Sequence, residues 1–70
     1  MRRVHLVRVT TENGEPRIWL AATPREEAVN RVLDAIPEGW TASLMERQLI
    51  GEEAAALAMR PGEVRQQQVS

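Results

Sequence analysis

Asn13-Gly14 lies between two runs of strand-forming residues, and it restricts the fold more than any other feature of the chain. Residues 3–11, Arg-Val-His-Leu-Val-Arg-Val-Thr-Thr, are rich in β-branched types and read as a strand. Residues 17–22, Arg-Ile-Trp-Leu-Ala-Ala, read as its return. A type I′ turn needs φ > 0 at both central positions, and Asn-Gly satisfies this with little strain. A two-residue turn there pairs Val9 with Ile18, Val7 with Leu20 and His5 with Ala22 on one face. On the other face it pairs Thr10 with Arg17, Arg8 with Trp19 and Leu6 with Ala21. The first set is apolar apart from His5 and is taken as the core face. The same register puts Glu12 opposite Glu15, a like-charge pair that a three-residue bulged loop would relieve by shifting the pairing by one. The gathering of Val7, Val9, Ile18 and Leu20 favours the two-residue turn.

The hairpin continues into a helix. Thr23-Pro24-Arg25-Glu26 combines a capping residue, a proline suited to the first helical position and a glutamate placed for a capping box. Ala28, Val29, Val32, Leu33 and Ile36 recur at helical spacing, and Pro37 and Gly39 end the run. Trp40 to Gln48 reads as a third strand, with Trp40, Ala42 and Leu44 on its core side. Gly51-Glu52-Glu53 opens a short second helix, with acids where the helix dipole favours them, and Pro61-Gly62 stops it. About two turns are too few to be stable without tertiary packing. Residues 63–70, Glu-Val-Arg-Gln-Gln-Gln-Val-Ser, read as a polar tail behind a single compact domain, residues 1–62.

The expected fold is therefore α+β: ββαβα, a three-stranded antiparallel sheet of order 2-1-3, one long helix on one face and a short C-terminal helix. Pro16 at the start of the second strand fits an edge position, and the apolar first strand fits the centre.

Composition narrows the function classes. The chain has 70 residues, no Cys and one His, so neither a disulfide nor a multi-histidine metal site is available to staple it. Hydrophobic residues make up 43%, too many for a disordered chain. No apolar run approaches a membrane span, and Arg8 breaks the apolar stretch behind the basic N-terminus, which is unlike a signal peptide. Absence of Cys fits a reducing compartment, and the cytoplasm is the expected location. All nine basic residues are Arg, a bias that a GC-rich genome accounts for, and ten acids offset them to a net charge of −1. A nucleic-acid module ordinarily carries a basic surplus, so that class is disfavoured.

No phosphate loop, nucleophile elbow or metal-ligand cluster is present. The expectation is a non-enzyme with no catalytic residue, no cofactor and no metal. His5 reads as a satisfied packing histidine, Glu26-Glu27 and Glu52-Glu53 as helix-start features, and Ser43 has no His–acid pairing within sequence reach.

The second sheet face is the informative one. It is expected to carry Leu6, Arg8, Arg17, Trp19 and Met45, too apolar a set to be left wet. Either the short helix covers it, or a second copy or another protein does. The leading expectation is a small protein-interaction module, a homodimer or an adaptor, using Leu6, Arg8, Arg17, Trp19 and Met45. The alternative is a weak binder of single-stranded nucleic acid, with Trp19 stacking a base beside Arg8 and Arg17.

The run from Arg17-Ile18-Trp19-Leu20-Ala21-Ala22 through Pro24-Arg25-Glu26-Glu27-Ala28 to Glu38-Gly39-Trp40, followed by Glu52-Glu53-Ala54 and Arg60-Pro61-Gly62-Glu63-Val64, resembles small uncharacterised bacterial proteins of GC-rich species. That resemblance implies a small bacterial cytosolic domain and carries no activity with it.

Overall fold

The structure, a computed structural model, describes residues 3–67. The elements are β1 (Arg3–Thr10), β2 (Pro16–Ala21), α1 (Arg25–Ala35), β3 (Thr41–Ile50), α2 (Glu52–Ala56) and β4 (Val64–Gln66). The four strands form one antiparallel sheet of order β3-β1-β2-β4. The expected three-stranded sheet of order 2-1-3 is thus corrected: the sheet has a fourth strand, taken from the segment read as a tail.

β4 is held by backbone geometry more than by its own apolar content. Glu63 N–H donates to the Arg60 carbonyl at 2.9 Å, and a Glu63 carboxylate oxygen accepts from Arg60 N–H at 2.9 Å, closing a turn at Pro61-Gly62. Gly62 N–H donates to the Ala22 carbonyl at 2.7 Å, Ala22 N–H to the Glu63 carbonyl at 2.9 Å, and Gln67 N–H to the Ile18 carbonyl at 2.8 Å. Trp19, Leu20 and Ala21 then pair with Gln66, Arg65 and Val64. The last residues of the expected tail, 68–70, lie outside the described residues.

The hairpin takes the shifted register. Thr11 N–H donates to the Glu15 carbonyl at 2.9 Å, and the loop is Glu12-Asn13-Gly14, with Gly14 at φ +84°. Only a residue without a side chain adopts that angle without strain. The pairs are His5–Ala21, Leu6–Leu20, Val7–Trp19, Arg8–Ile18 and Val9–Arg17. The longer loop separates Glu12 from Glu15 and leaves Glu15 free to bond Arg17 at 2.7 Å. A one-residue slip sends every side chain of β2 to the opposite face relative to β1. Ile18 and Leu20 therefore leave the α1 face on which they were expected, and Trp19 and Ala21 take their places.

Two small cores result, one on each side of the sheet. Under α1 lie Val7, Val9, Ala21, Ala28 and Val32, with Trp19, Trp40 and Leu44 packed against them. Under α2 and the segment after it lie Val4, Leu6, Leu20, Ala54 and Met59, with Ile18, Met45, Leu49 and Leu57 at the margin. β1 serves both cores, which is why its buried run Val4–Val7 does not alternate. Along β3, the three residues Met45–Arg47 stand opposite Leu6 alone, a bulge between the Leu44–Val7 and Gln48–His5 pairs.

α1 begins one residue later than a Thr23 cap implies. Thr23 turns its hydroxyl to the Pro24 carbonyl at 3.0 Å, and the helix opens at Arg25 with no side-chain cap. Its first-turn acids, Glu26 and Glu27, complement the dipole.

Candidate functional site

Two places on the molecule concentrate chemistry. The first is the α2 face of the sheet. α2 has five residues, and with Met59 it covers the end of the sheet carrying Val4, Leu6 and Leu20. The other end is bare. There Ser43, Arg8 and Ile18 follow one another across β3, β1 and β2, and Arg8 and Ser43 are exposed. Ile18, Met45, Leu49 and Leu57 are half-buried. A groove of about 780 Å³ is lined by Leu20, Leu49 and Leu57 together with Arg65, Gln66 and Gln67. Arg65 is tied to Glu63 by two bonds, Nε at 3.0 Å and Nη2 at 2.6 Å. That bond, together with one from Arg60 N–H, holds the Glu63 carboxyl below the usual range, the backbone bond being the larger influence.

Of the expected surface residues, the structure brings Leu6, Arg8 and Met45 to this face. Leu6 is buried beneath α2, while Met45 is half-buried. Arg17 and Trp19 lie on the α1 side, since Arg17 pairs with Val9 and Trp19 with Val7. Trp19 packs there with its indole N–H buried and unbonded among the described residues, and Arg17 is ion-paired to Glu15. Arg8, Arg17 and Trp19 therefore form no common platform, and the stacking arrangement required by the nucleic-acid alternative is absent from the geometry. Ile18 also belongs to this face, because the three-residue loop shifts β2 by one residue and turns Ile18 away from α1.

The second place is a cleft of about 490 Å³ between the start of α1, the beginning of β1 and the bulge of β3. His5 forms part of its wall, with Arg3, Arg25 and Glu26 near it and Glu46 and Gln48 contributed by β3. His5 is only 7% exposed. It was expected to be a satisfied packing histidine, yet its ring has no hydrogen-bond partner among the described residues. Burial pushes the imidazole below its ordinary range; Arg25 and then Arg3 push it the same way, and Glu26 acts against them. The potential at the ring is therefore positive. Among the described residues no group of three or more His, Cys, Asp or Glu side chains is placed to hold a metal ion.

Comparison with known proteins finds no matching family model, no matching curated protein and no matching solved structure. The resemblance to small bacterial proteins gains no support from it and loses none. Among the described residues no helix is long and apolar enough to cross a membrane.

Proposed function

We propose that this chain is a non-enzymatic interaction module that works by pairing with a second copy of itself through the α2 face. The observation that carries this reading is the stepped shape of that face: α2 stands on one end of the sheet, and the other end, at Arg8, Ile18 and Ser43, is bare. A two-fold axis across the strands would set each α2 on the bare end of the other copy, a self-complementary fit. Charge supports the same docking. Glu52 and Glu53 are exposed at the start of α2, and Arg8 is exposed at the bare end without an ion pair among the described residues. A standard interface buries about 800 Å² per partner, roughly one sixth of the 5123 Å² surface of this chain.

Light scattering and sedimentation across a concentration series test the proposal. The expected result is a dimer that dissociates on dilution. Arg8→Glu, at an exposed site, should weaken it about ten-fold or more by setting like charges together. Ile18→Glu should abolish it. A strict monomer at every concentration, or a dimer indifferent to both substitutions, overturns the reading. Circular dichroism of the Arg8→Glu variant separates lost pairing from lost folding.

A further inference from the structure

The cleft beside His5 lies at the start of an eleven-residue helix whose first turn carries no side-chain cap. The N–H groups of Arg25 and Glu26 have no acceptor among the described residues, while Glu27 N–H is bound by the Pro24 carbonyl at 3.0 Å. Such free N–H groups, with the positive end of the helix dipole behind them, favour an anion. The second observation is independent of the helix. His5 reaches the cleft from β1, more than nine-tenths buried and without a partner. Its ring nitrogens are not sealed off in the way the Trp19 Nε1 is, so they remain open to a ligand. The third is charge: neither Arg3 nor Arg25 is ion-paired among the described residues.

The cleft also holds acceptors. Glu26 and Glu46 line it with Gln48, so it is not a uniformly basic hollow. Two acids would repel a polyanion, but they accept hydrogen bonds from hydroxyls. At about 490 Å³ the space exceeds what a lone oxyanion fills and falls in the range of small-ligand pockets. We infer that the cleft binds a phosphorylated polyol, with the phosphate on His5, Arg3, Arg25 and the α1 N-terminus, and hydroxyls on Glu46 and Gln48. The bulge of β3 matters to this assignment, because Glu46 is one of its three residues. The inference is independent of self-association, since the cleft shares no residue with the bare end at Arg8, Ile18 and Ser43 and meets the α2-face core only at Ala22 and Met45.

His5 is the one histidine of the chain, so its ring signals in an NMR spectrum are unambiguous. The full chain is titrated at neutral pH with ribose 5-phosphate, inorganic phosphate and acetate in separate arms. The expected result is saturable movement of the His5 ring and of the Arg25 and Glu26 amide signals with ribose 5-phosphate, weaker with phosphate and absent with acetate. The apparent pKa of His5 should rise in the bound state, because an anion favours the imidazolium. Arg25→Gln, at an exposed site, should weaken binding about ten-fold, the scale of one charge-assisted hydrogen bond. Absence of saturable shifts, or unchanged affinity in Arg25→Gln, overturns the site. Equal affinity for phosphate and ribose 5-phosphate overturns the polyol assignment.

Discussion

Val7 and Trp19 stand directly opposite one another on β1 and β2, and both face α1. This pairing puts an indole where a purely apolar residue would pack as well, and its N–H is buried with no acceptor among the described residues. An unsatisfied buried donor costs about 1–3 kcal/mol. Trp19→Phe removes the donor along with some apolar surface, and the two effects oppose. The expected outcome in urea denaturation is a change within about 1 kcal/mol of zero, whereas Trp19→Ala should cost about 3 kcal/mol. A large loss in Trp19→Phe would mean that the N–H does have a partner.

The hairpin register rests on Gly14 at φ +84°. A Cβ at that position would meet nothing within 4 Å, so any penalty is one of backbone conformation alone. Gly14→Ala should destabilise by about 1 kcal/mol. The cross-strand nuclear Overhauser contacts between Val7 and Trp19 should survive the substitution. Contacts between Val7 and Leu20 in their place would indicate the two-residue turn.

Val64 separates a fourth strand from a tail. It is half-buried against the α1-side core and pairs with Ala21. Val64→Asp should cost about 2 kcal/mol in chemical denaturation, because a charge placed in that position is left without a partner. In a solvated tail the same change would be silent.

Stability should fall on mild acidification. The folded protein holds His5 below its ordinary range, so its neutral form is favoured on folding. The unfolded chain protonates first, near pH 6.5. Stability is therefore full above about pH 6.5 and is lost as pH drops below it. Thermal midpoints measured from neutral pH downward should show this decline, and His5→Asn should flatten it. Glu63, held down by the Arg60 N–H and the Arg65 guanidinium, adds its own loss only below the ordinary carboxylate range, so the two windows are distinct.

Much of the architecture was legible because its signals are local. Helical spacing at Ala28 and Val32 marks α1, and both are fully buried. The apolar run of β1 marks it as an interior strand, whereas the edge position that Pro16 suggests for β2 is corrected: β4 pairs along Trp19–Ala21 and makes β2 interior, and Pro16 is accommodated because it lies beyond that pairing. What was not legible depends on contacts between distant residues. The hairpin register turned on Glu12 and Glu15, whose repulsion was visible in sequence but outweighed there by the apparent gain of joining Ile18 to Val7. That gain was illusory, because the sheet has a core on both faces and Ile18 finds apolar company on either. β4 was invisible for another reason: Val64, Arg65 and Gln66 carry no strand pattern, and the strand exists through backbone bonds to β2. The candidate surface suffered from the same register slip, which moved Trp19 and Arg17 away from Arg8. The cleft at His5 needed three elements to converge, and no spacing in the chain announces it.

The bulge of β3 has an arithmetic consequence. Three residues, Met45–Arg47, occupy the place of one opposite Leu6, an excess of two. Because side chains alternate with period two, an excess of two leaves Leu44 and Gln48 on the same side of the sheet, as an unbroken strand would. β3 could shed two residues here without turning either half over. A deletion of one would exchange the inside and outside of everything beyond it, carrying Leu49 out of its core. The strand thus tolerates change in length by pairs, and that parity sets which insertions and deletions the fold can absorb.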